Sequence, residues 1–405
     1  MKDLKGKYLL LLIAMCGLMA GSGGLTVNVA GLFFNPISEE LSIGRGDVSL
    51  GMTICNLVAS FAGLAIAKVI RSDNFKRAVT IGSGVTVAST VLLGLCSSVL
   101  PMYLLHAVRG LSTGFVGMIL VTMMINSWFQ ANNGLITSIA MGFSGLASAV
   151  FSPVLSAVIQ SSGWRMTYFV SAVLIALFSV PVIVFPIGLR PEDAGTVPYG
   201  EAPERKGQPH PAKAPEPIAK DMFVLVLLYA LLSGALPTVV QHLPGIASSY
   251  ALPASVGAIM LSVGMIANTG GKLLLGFLID RIGTRFSVLF SCAAVAAGIF
   301  CVMTMHSAAG MMAGAALIGL SYSIMTVGHV MMIRDVFGAA NYGLVYPKTS
   351  LGVTLTYASC STLIGFVYDL FGSYMPILYA MLALVAGTAF LVVIIYAKHA
   401  ARHRN

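Results

Sequence analysis

Charged residues are scarce in this chain. Only 9% of its 405 residues are Asp, Glu, Lys or Arg, whereas 57% are hydrophobic, and the mean hydropathy is +0.91. Soluble domains carry about a quarter charged residues. The composition therefore excludes a soluble globular protein and predicts a polytopic membrane protein. The 43 glycines fit this prediction, because small residues allow membrane helices to approach closely.

Acidic residues are scarcer than basic ones: the chain has 14 Asp and Glu residues against 23 Lys and Arg residues. Every acid falls in a loop, in a tail or within about one turn of the end of an apolar run. The interior of the predicted membrane domain therefore contains cations without carboxylates to pair with them. Such cations require an anion, a group of backbone carbonyls or water. This pattern favours an anionic substrate and disfavours carriers that rely on a buried acid.

The sequence also lacks the patterns of disulfide or metal-binding cysteines and of nucleotide binding. The six cysteines lie in apolar runs and form no CxxC pair, so no disulfide framework, metal site or other cofactor is predicted. The net charge of +9 is explained by its placement in loops, and no nucleic-acid partner is expected. Gly270-Gly271-Lys272 lacks the spacing of a phosphate-binding loop. No acid, histidine and nucleophile converge, so an enzyme is not expected.

Apolar runs of about 20 residues, the length that crosses a bilayer, occur twelve times. They predict spans at residues 8–34, 47–70, 77–98, 101–126, 134–160, 165–188, 222–248, 254–279, 286–305, 308–333, 341–367 and 374–397. Alternate connections hold nearly all of the lysines and arginines, whereas the opposite connections hold only Arg45 and Arg165. The positive-inside rule therefore predicts that both termini are cytoplasmic, in a multi-pass protein of the cytoplasmic (inner) membrane.

The segment between spans six and seven, residues 190–221, is rich in proline and charge. It predicts a flexible cytoplasmic linker. The linker separates residues 1–189 from residues 222–405, each of which contains six predicted helices.

The two halves repeat one another at an offset of 209 residues. Arg109-Gly-Leu-Ser112 aligns with Ile318-Gly-Leu-Ser321, and Gly134 aligns with Gly343. Registered matches of this kind indicate a duplicated unit. The sequence thus predicts an all-α polytopic membrane protein, with twelve transmembrane helices in two pseudo-symmetric six-helix bundles.

Two motifs carry a family resemblance. Gly276-x-x-x-Asp280-Arg281-x-Gly283-x-Arg285, between spans eight and nine, resembles the cytoplasmic motif of the major facilitator superfamily. Arg109-Gly-Leu-Ser-Thr-Gly114 is similar to the arginine and glycine motif of its fourth span. The resemblance implies the major facilitator fold and a secondary transporter that works by alternating access. It also implies that Gly276, Asp280, Arg281, Gly283 and Arg285 act in gating.

Other stretches are similar to the monocarboxylate transporter and oxalate/formate antiporter group. They are Gly31-Leu-Phe-Phe-Asn-Pro36, Gly163-Trp164-Arg165, Arg190-Pro-Glu-Asp-Ala-Gly195, Gln241-His-Leu-Pro-Gly245 and Asn341-Tyr-Gly343. That group carries a basic residue, usually arginine, where Lys272 stands, and a lysine in span eleven close to Lys348. Asn268 occupies the place of an aspartate in monocarboxylate transporters, so a proton relay of that kind is not expected.

Lys272 is the principal expected charge partner of the substrate. It precedes Asp280 by about 12 Å of helix, at a rise of 1.5 Å per residue, which places it near mid-bilayer. Arg109 and Lys348 are further expected substrate contacts. The alternatives are a structural arginine bonded to carbonyls and a lysine that reaches toward the membrane edge.

Uncharged polar residues and histidines complete the candidate site. Tyr322 and Asn28 are expected to hydrogen-bond a carboxylate, or else to join helices. His106, His329 and His242 are candidates for proton coupling, because histidine changes charge near neutral pH. The alternative for His106 and His329 is a buried histidine with satisfied hydrogen bonds, and His242 is otherwise a gating or interfacial residue.

These observations predict a secondary transporter of a small organic anion, a mono- or dicarboxylate. Proton symport and anion exchange both balance charge, so a proton or a counter-anion is expected besides the substrate and the lipid bilayer. The protein is expected to be a monomer. Two alternatives remain: a superfamily carrier of a sugar or drug, and a membrane sensor or partner-binding protein that transports nothing.

Overall fold

The computed structural model describes residues 6–130, 133–200 and 218–402 of the chain. Most of the predicted linker, residues 201–217, lies outside the described part. The regular structure is helical, as expected for apolar segments whose backbone groups must satisfy one another in lipid. The described residues divide into two compact units, 6–43 with 47–200 and 44–46 with 218–402.

The first unit is built from α1 to α7. These helices are α1 (Lys7–Met19), α2 (Phe34–Leu41), α3 (Arg45–Val69), α4 (Phe75–Leu93), α5 (Val99–Val116), α6 (Met118–Trp128) and α7 (Asn133–Val184). A π-helical segment, Ala20–Asn28, and a 3-10 turn, Ala30–Leu32, follow α1. The core of this unit packs α1, α6 and α7 around fully buried side chains such as Trp128 and Met124.

The second unit is built from α8 to α14. These helices are α8 (Lys220–Ala235), α9 (Leu243–Ser249), α10 (Ala254–Thr304), α11 (Ala308–Gly319), α12 (Ser321–Ser323), α13 (His329–Phe371) and α14 (Met375–Arg402). A 3-10 segment, Leu236–His242, joins α8 to α9, and a π-helical segment, Ile324–Gly328, joins α12 to α13.

Eight helical segments of the described residues are long and apolar enough to cross a membrane. Two of them, Gly134–Val184 and Ala254–Thr304, are 51 residues long, about twice what one crossing needs. Each bends at a glycine and so supplies two spans. The helices α3 and α4, which are not among the eight, complete an arrangement consistent with twelve crossings. The structure confirms the predicted all-helical membrane fold.

Glycine supplies the bends inside the long helices. Gly163 in α7 has φ +80° and ψ 168°, Gly283 in α10 has φ +79° and ψ 161°, and Gly338 in α13 has φ +72° and ψ 169°. This combination is open to glycine and strained for a residue with a Cβ atom. Gly283 therefore has a backbone function within the expected gating motif, because it turns the chain from one span into the next.

Two spans of the first unit are interrupted. One interruption is the π-helical segment Ala20–Asn28, and the other is Gly117, between α5 and α6, with φ −96° and ψ −147°. The two adjoin, because a Cβ atom on Gly117 would lie 3.7 Å from Ser22 Oγ. Irregular backbone at membrane depth is tolerated where protein buries it or where it lines a cavity.

The second unit has its own pair of interruptions, Leu236–His242 and Ile324–Gly328. The Tyr229 hydroxyl donates to the Ile324 carbonyl oxygen at 2.9 Å and so holds α8 against the start of the π-helical segment. Thr326, inside that segment, stands 209 residues after Gly117. The second interruption of each unit thus falls at matched positions of the sequence repeat.

The start of the predicted linker is folded. The Tyr199 amide donates to the Trp128 carbonyl at 2.8 Å, and the Gln130 amide donates to the Tyr199 carbonyl at 3.0 Å. The Tyr199 ring also lies 5.3 Å from the Tyr8 ring and 5.8 Å from the Phe129 ring. Composition predicts a flexible segment from residue 190, but this aromatic cluster holds residues 190–200 against the first unit.

We expect Gly163→Ala to lower stability, because the Cβ atom strains the backbone by about 1–3 kcal/mol. Gly134→Ala is the control: Gly134 lies in the same helix and a Cβ atom there meets nothing within 4 Å. Thermal unfolding of the detergent-purified protein measures both. An unchanged unfolding temperature for Gly163→Ala would contradict the proposed strain.

Candidate functional site

The helix α5 approaches α3 through two glycines. A Cβ atom on Gly110 would lie 2.3 Å from the Cys55 carbonyl oxygen, and one on Gly114 would lie 2.6 Å from the Ala59 carbonyl oxygen. Glycines four residues apart allow this backbone contact. The motif that opens with Arg109 therefore has a packing function, and the contact fixes Arg109 in the interior of the first unit.

Arg109 is only 3% exposed. Its Nη2 atom lies 3.4 Å from the Thr26 carbonyl oxygen and 3.3 Å from Met52 Sδ. Its Nε atom has no hydrogen-bond partner among the described residues. Thr26 belongs to the π-helical segment Ala20–Asn28. The guanidinium group thus contacts a carbonyl and a thioether, neither of which carries a charge.

A cavity in the first unit, hereafter the Arg109 cavity, adjoins this guanidinium group. It is lined by Leu25, Thr26, Val29, Ala30, Phe33, Phe34, Val48, Met52, Thr90, His106, Arg109, Tyr168 and Ser171. None of these residues is acidic. The cavity measures about 20 Å³, the scale of one or two water-sized groups.

Three lining residues contribute a buried polar atom without a partner in the described part of the chain. These atoms are His106 Nδ1, Arg109 Nε and Ser171 Oγ. His106 and Arg109 are 3% exposed and Ser171 is 2% exposed. Buried polar atoms in proteins nearly always have partners, so these three exceptions make the Arg109 cavity the candidate site of the first unit.

The expected contact Asn28 lies in the same unit but does not line the cavity. Its Nδ2 atom donates to the Ser144 carbonyl oxygen at 3.2 Å. In this structure the side chain therefore joins the first span to α7, the second of the two functions that the sequence allows.

Lys272 lies within α10 of the second unit and is half-buried. The structure gives it no hydrogen bond or ion pair with any described residue. Asn268, one turn earlier, is 4% exposed, and its Oδ1 atom also has no partner there. Residues four apart share one side of a helix. The two polar groups therefore lie next to each other in the helix.

The ion pairs of the described residues do not involve the candidate cations. They are Arg165 with Glu40, Lys398 with Asp221 and Arg402 with Asp221, all between exposed side chains. Neither Arg109 nor Lys272 has a carboxylate partner in this part of the chain, as the distribution of acids predicts.

The other two expected substrate contacts of the second unit, Lys348 and Tyr322, have different surroundings. The Lys348 side chain is exposed. Tyr322 is 5% exposed, and its hydroxyl lies 3.5 Å from the Tyr357 hydroxyl. Both phenols also hydrogen-bond to the Gln241 side chain. Tyr322 thus belongs to a buried polar cluster, whereas Lys348 does not.

The two candidate histidines of the second unit, His242 and His329, are buried and have partners. His329 Nε2 lies 3.0 Å from Thr349 Oγ1. His242 Nε2 lies 2.9 Å from the Ser361 carbonyl oxygen. The His329 contact matches its alternative as a buried histidine with a satisfied hydrogen bond. His106 differs from His329 in having an unpartnered nitrogen beside a cavity.

The expected gating residues cluster around the bend in α10. Asp280 and Arg281 are exposed, and Asp280 forms no ion pair among the described residues. The Arg281 guanidinium lies 5.2 Å from the centre of the Phe277 ring, and that of Arg285 lies 5.6 Å from the Phe286 ring. A Cβ atom on Gly276 would meet nothing within 4 Å.

The sequence profile described as the Major Facilitator Superfamily matches residues 10–311 and, in a second match, residues 222–405. The chain belongs to the major facilitator superfamily. It is accordingly a multi-pass membrane transporter with a small-molecule substrate, and the expected superfamily membership is confirmed.

Individual relatives refine this picture. The chain is 21% identical to the oxalate:formate antiporter of Oxalobacter formigenes over 323 residues, which cover 78% of this chain and 75% of that protein. The nucleoside transporter NupG matches with a TM-score of 0.68 at 13% identity, over 96% of this chain and 98% of that one. A bacterial homolog of the human lysosomal transporter Spinster matches with a TM-score of 0.65 at 14% identity, over 98% of this chain and 96% of that one. At such identities the solved structures show the shared fold alone.

Sequence reasoning missed Ser171, Thr26 and Asn268 as site residues. Ser171 and Thr26 carry no local signal, because only tertiary packing brings α7 and the π-helical segment to Arg109. In the sequence, Asn268 indicates only the absence of an aspartate. Its spacing from Lys272 was the available signal, since residues four apart share a helix face.

We expect Gly110→Ala to separate α5 from α3 and to lower stability by about 1–3 kcal/mol, the usual cost of overpacking. The matched control is Gly84→Ala on α4, where a Cβ atom meets nothing within 4 Å. Thermal unfolding and ligand binding are measured for both. Gly110→Ala with full stability would contradict the backbone contact between α3 and α5.

Proposed function

We propose that this transporter moves a small organic anion, a mono- or dicarboxylate, across the cytoplasmic membrane by alternating access. The observation that carries the proposal is Arg109: a buried cation beside a cavity whose lining contains no acid. A buried charge without a counter-ion is costly, and an anionic substrate compensates that cost.

Lys272 supports the same proposal from the second unit. It is half-buried within a membrane helix and has no partner among the described residues. Lysine acts as a point charge and lacks the bidentate fork of arginine, so it suits a single carboxylate oxygen. The adjacent Asn268 supplies its Nδ2 group as a donor to the same ligand; its unpartnered Oδ1 atom is an acceptor and does not bind a carboxylate.

The relative from Oxalobacter formigenes favours this substrate class, because its name describes exchange of oxalate and formate. Symport with a proton and exchange for a second anion would both keep the charge of the transport cycle balanced. We propose that both termini face the cytoplasm, because the basic residues concentrate in the corresponding connections.

The remaining expected residues have secondary parts in this proposal. Tyr322 and Lys348 are further substrate contacts. The segment from Gly276 to Arg285 gates the substrate path on the cytoplasmic side, where its exposed charges lie beside the bend at Gly283.

Counterflow into proteoliposomes tests the function directly. Labelled acetate, oxalate and malonate are presented against internal unlabelled anion, with and without a pH gradient, and a nucleoside and a sugar serve as comparisons. We expect at least one carboxylate to accumulate and the neutral solutes to be excluded. Uptake of the nucleoside or sugar without carboxylate uptake would overturn the proposal.

We expect Lys272→Gln to reduce carboxylate counterflow by about 10- to 100-fold, the loss of one hydrogen bond to a charged group. Lys398→Gln is the control, because Lys398 is exposed and pairs with Asp221. Equal rates for Lys272→Gln and the unmodified protein would remove Lys272 from the substrate site.

A further inference from the structure

We propose that His106, Arg109 and Ser171 form an oxyanion-binding subsite inside the first unit, which receives the carboxylate head group of the transported anion. The inference rests on the proposed function and names the residues that bind the substrate. It assigns anion binding to His106, which the sequence marks for proton coupling, and to Ser171, which the sequence does not mark.

The hydrogen-bonding chemistry of the three unpartnered atoms fits an oxyanion. Arg109 Nε is a permanent donor, the Ser171 hydroxyl can donate, and His106 Nδ1 donates in one of the two neutral tautomers. An ionised carboxylate is purely an acceptor and offers about four lone-pair sites. A carboxylate thus has the acceptor capacity to match these three donors, with a charge-assisted bond to Arg109.

The charge of the Arg109 cavity favours an anion over water. Water can accept hydrogen bonds from the three donors only in part, and it leaves the guanidinium charge without a counter-charge. The remaining walls are mostly apolar, including Leu25, Val29 and Phe33. In such surroundings the attraction between opposite charges is stronger than in water.

The dimensions of the Arg109 cavity limit what enters it. At about 20 Å³ it has the scale of a head group rather than of a whole organic acid. The Phe33 and Tyr168 rings, which both line the cavity, stack with centroids 4.4 Å apart. The subsite therefore selects a small oxyanion head group and leaves the body of a longer acid outside.

Backbone contacts hold two of the three proposed binding residues, His106 and Arg109, in place. A Cβ atom on Gly51 would lie 2.5 Å from His106 Cδ2, so the imidazole ring rests directly on the backbone of α3. The close contact of Gly110 with Cys55 holds Arg109 on the same pair of helices. These two ligands are thus held by backbone packing, and Ser171 is supplied from α7.

The experiment measures equilibrium binding of labelled acetate to the purified full chain. Ser171→Ala removes one oxygen atom and is expected to weaken binding about tenfold. Ser179→Ala is the matched control on α7, because the Ser179 hydroxyl is buried and already donates to the Ile175 carbonyl at 2.8 Å. It should bind acetate with unchanged affinity.

His106 and Arg109 provide the second arm. His106→Leu is expected to weaken acetate binding about tenfold, and His106→Asn, which keeps a donor, to restore part of it. Arg109→Gln is expected to weaken binding about 100-fold, and acetamide, a neutral molecule of similar shape, should not compete with acetate. Should Ser171→Ala reduce thermal stability, the two His106 variants decide the result.

Each outcome has a separate meaning. If the unmodified protein binds no carboxylate, the proposed function is lost. If Lys272→Gln abolishes acetate binding while the Ser171 and His106 variants bind normally, the proposed function stands and this subsite is wrong. If chloride displaces acetate at equal concentration, the cavity accepts any small anion and the oxyanion assignment is overturned.

Discussion

A membrane interior offers a buried cation neither water nor a counter-ion, and the chain meets this constraint in an unusual way. Its acids stay at the ends of spans, so Arg109 and Lys272 have no carboxylate partner among the described residues. The polypeptide provides Arg109 with a carbonyl and a thioether instead. Such contacts orient a guanidinium group without neutralising it. In the proposed function, the charge that completes the site arrives with the substrate.

Close packing is what makes this site possible. Gly110 and Gly114 bring α5 against α3, and this contact fixes the position of Arg109. The π-helical segment Ala20–Asn28 then places the Thr26 carbonyl beside the guanidinium group. The Arg109 guanidinium group thus rests against the irregular backbone of the first span.

The sequence predicts the features that depend on composition and local pattern. Apolar runs predict the spans, and the spacing from Gly276 to Arg285 predicts the superfamily. The absence of central acids predicts that Arg109 and Lys272 lack partners. Ser171 could not be predicted, because its relation to Arg109 depends on how α7 packs. Likewise, residues 190–200 have the composition of a linker, but aromatic contacts of Tyr199 hold them against the first unit.

The most direct test is an experimental structure with a bromine-labelled carboxylate, such as 3-bromopropionate, in which the bromine marks the ligand. The account predicts a carboxylate within hydrogen-bond distance of Arg109 or Lys272, with the organic body directed away from the guanidinium or ammonium group. A ligand bound at neither cation, with both side chains still unpaired, would contradict it.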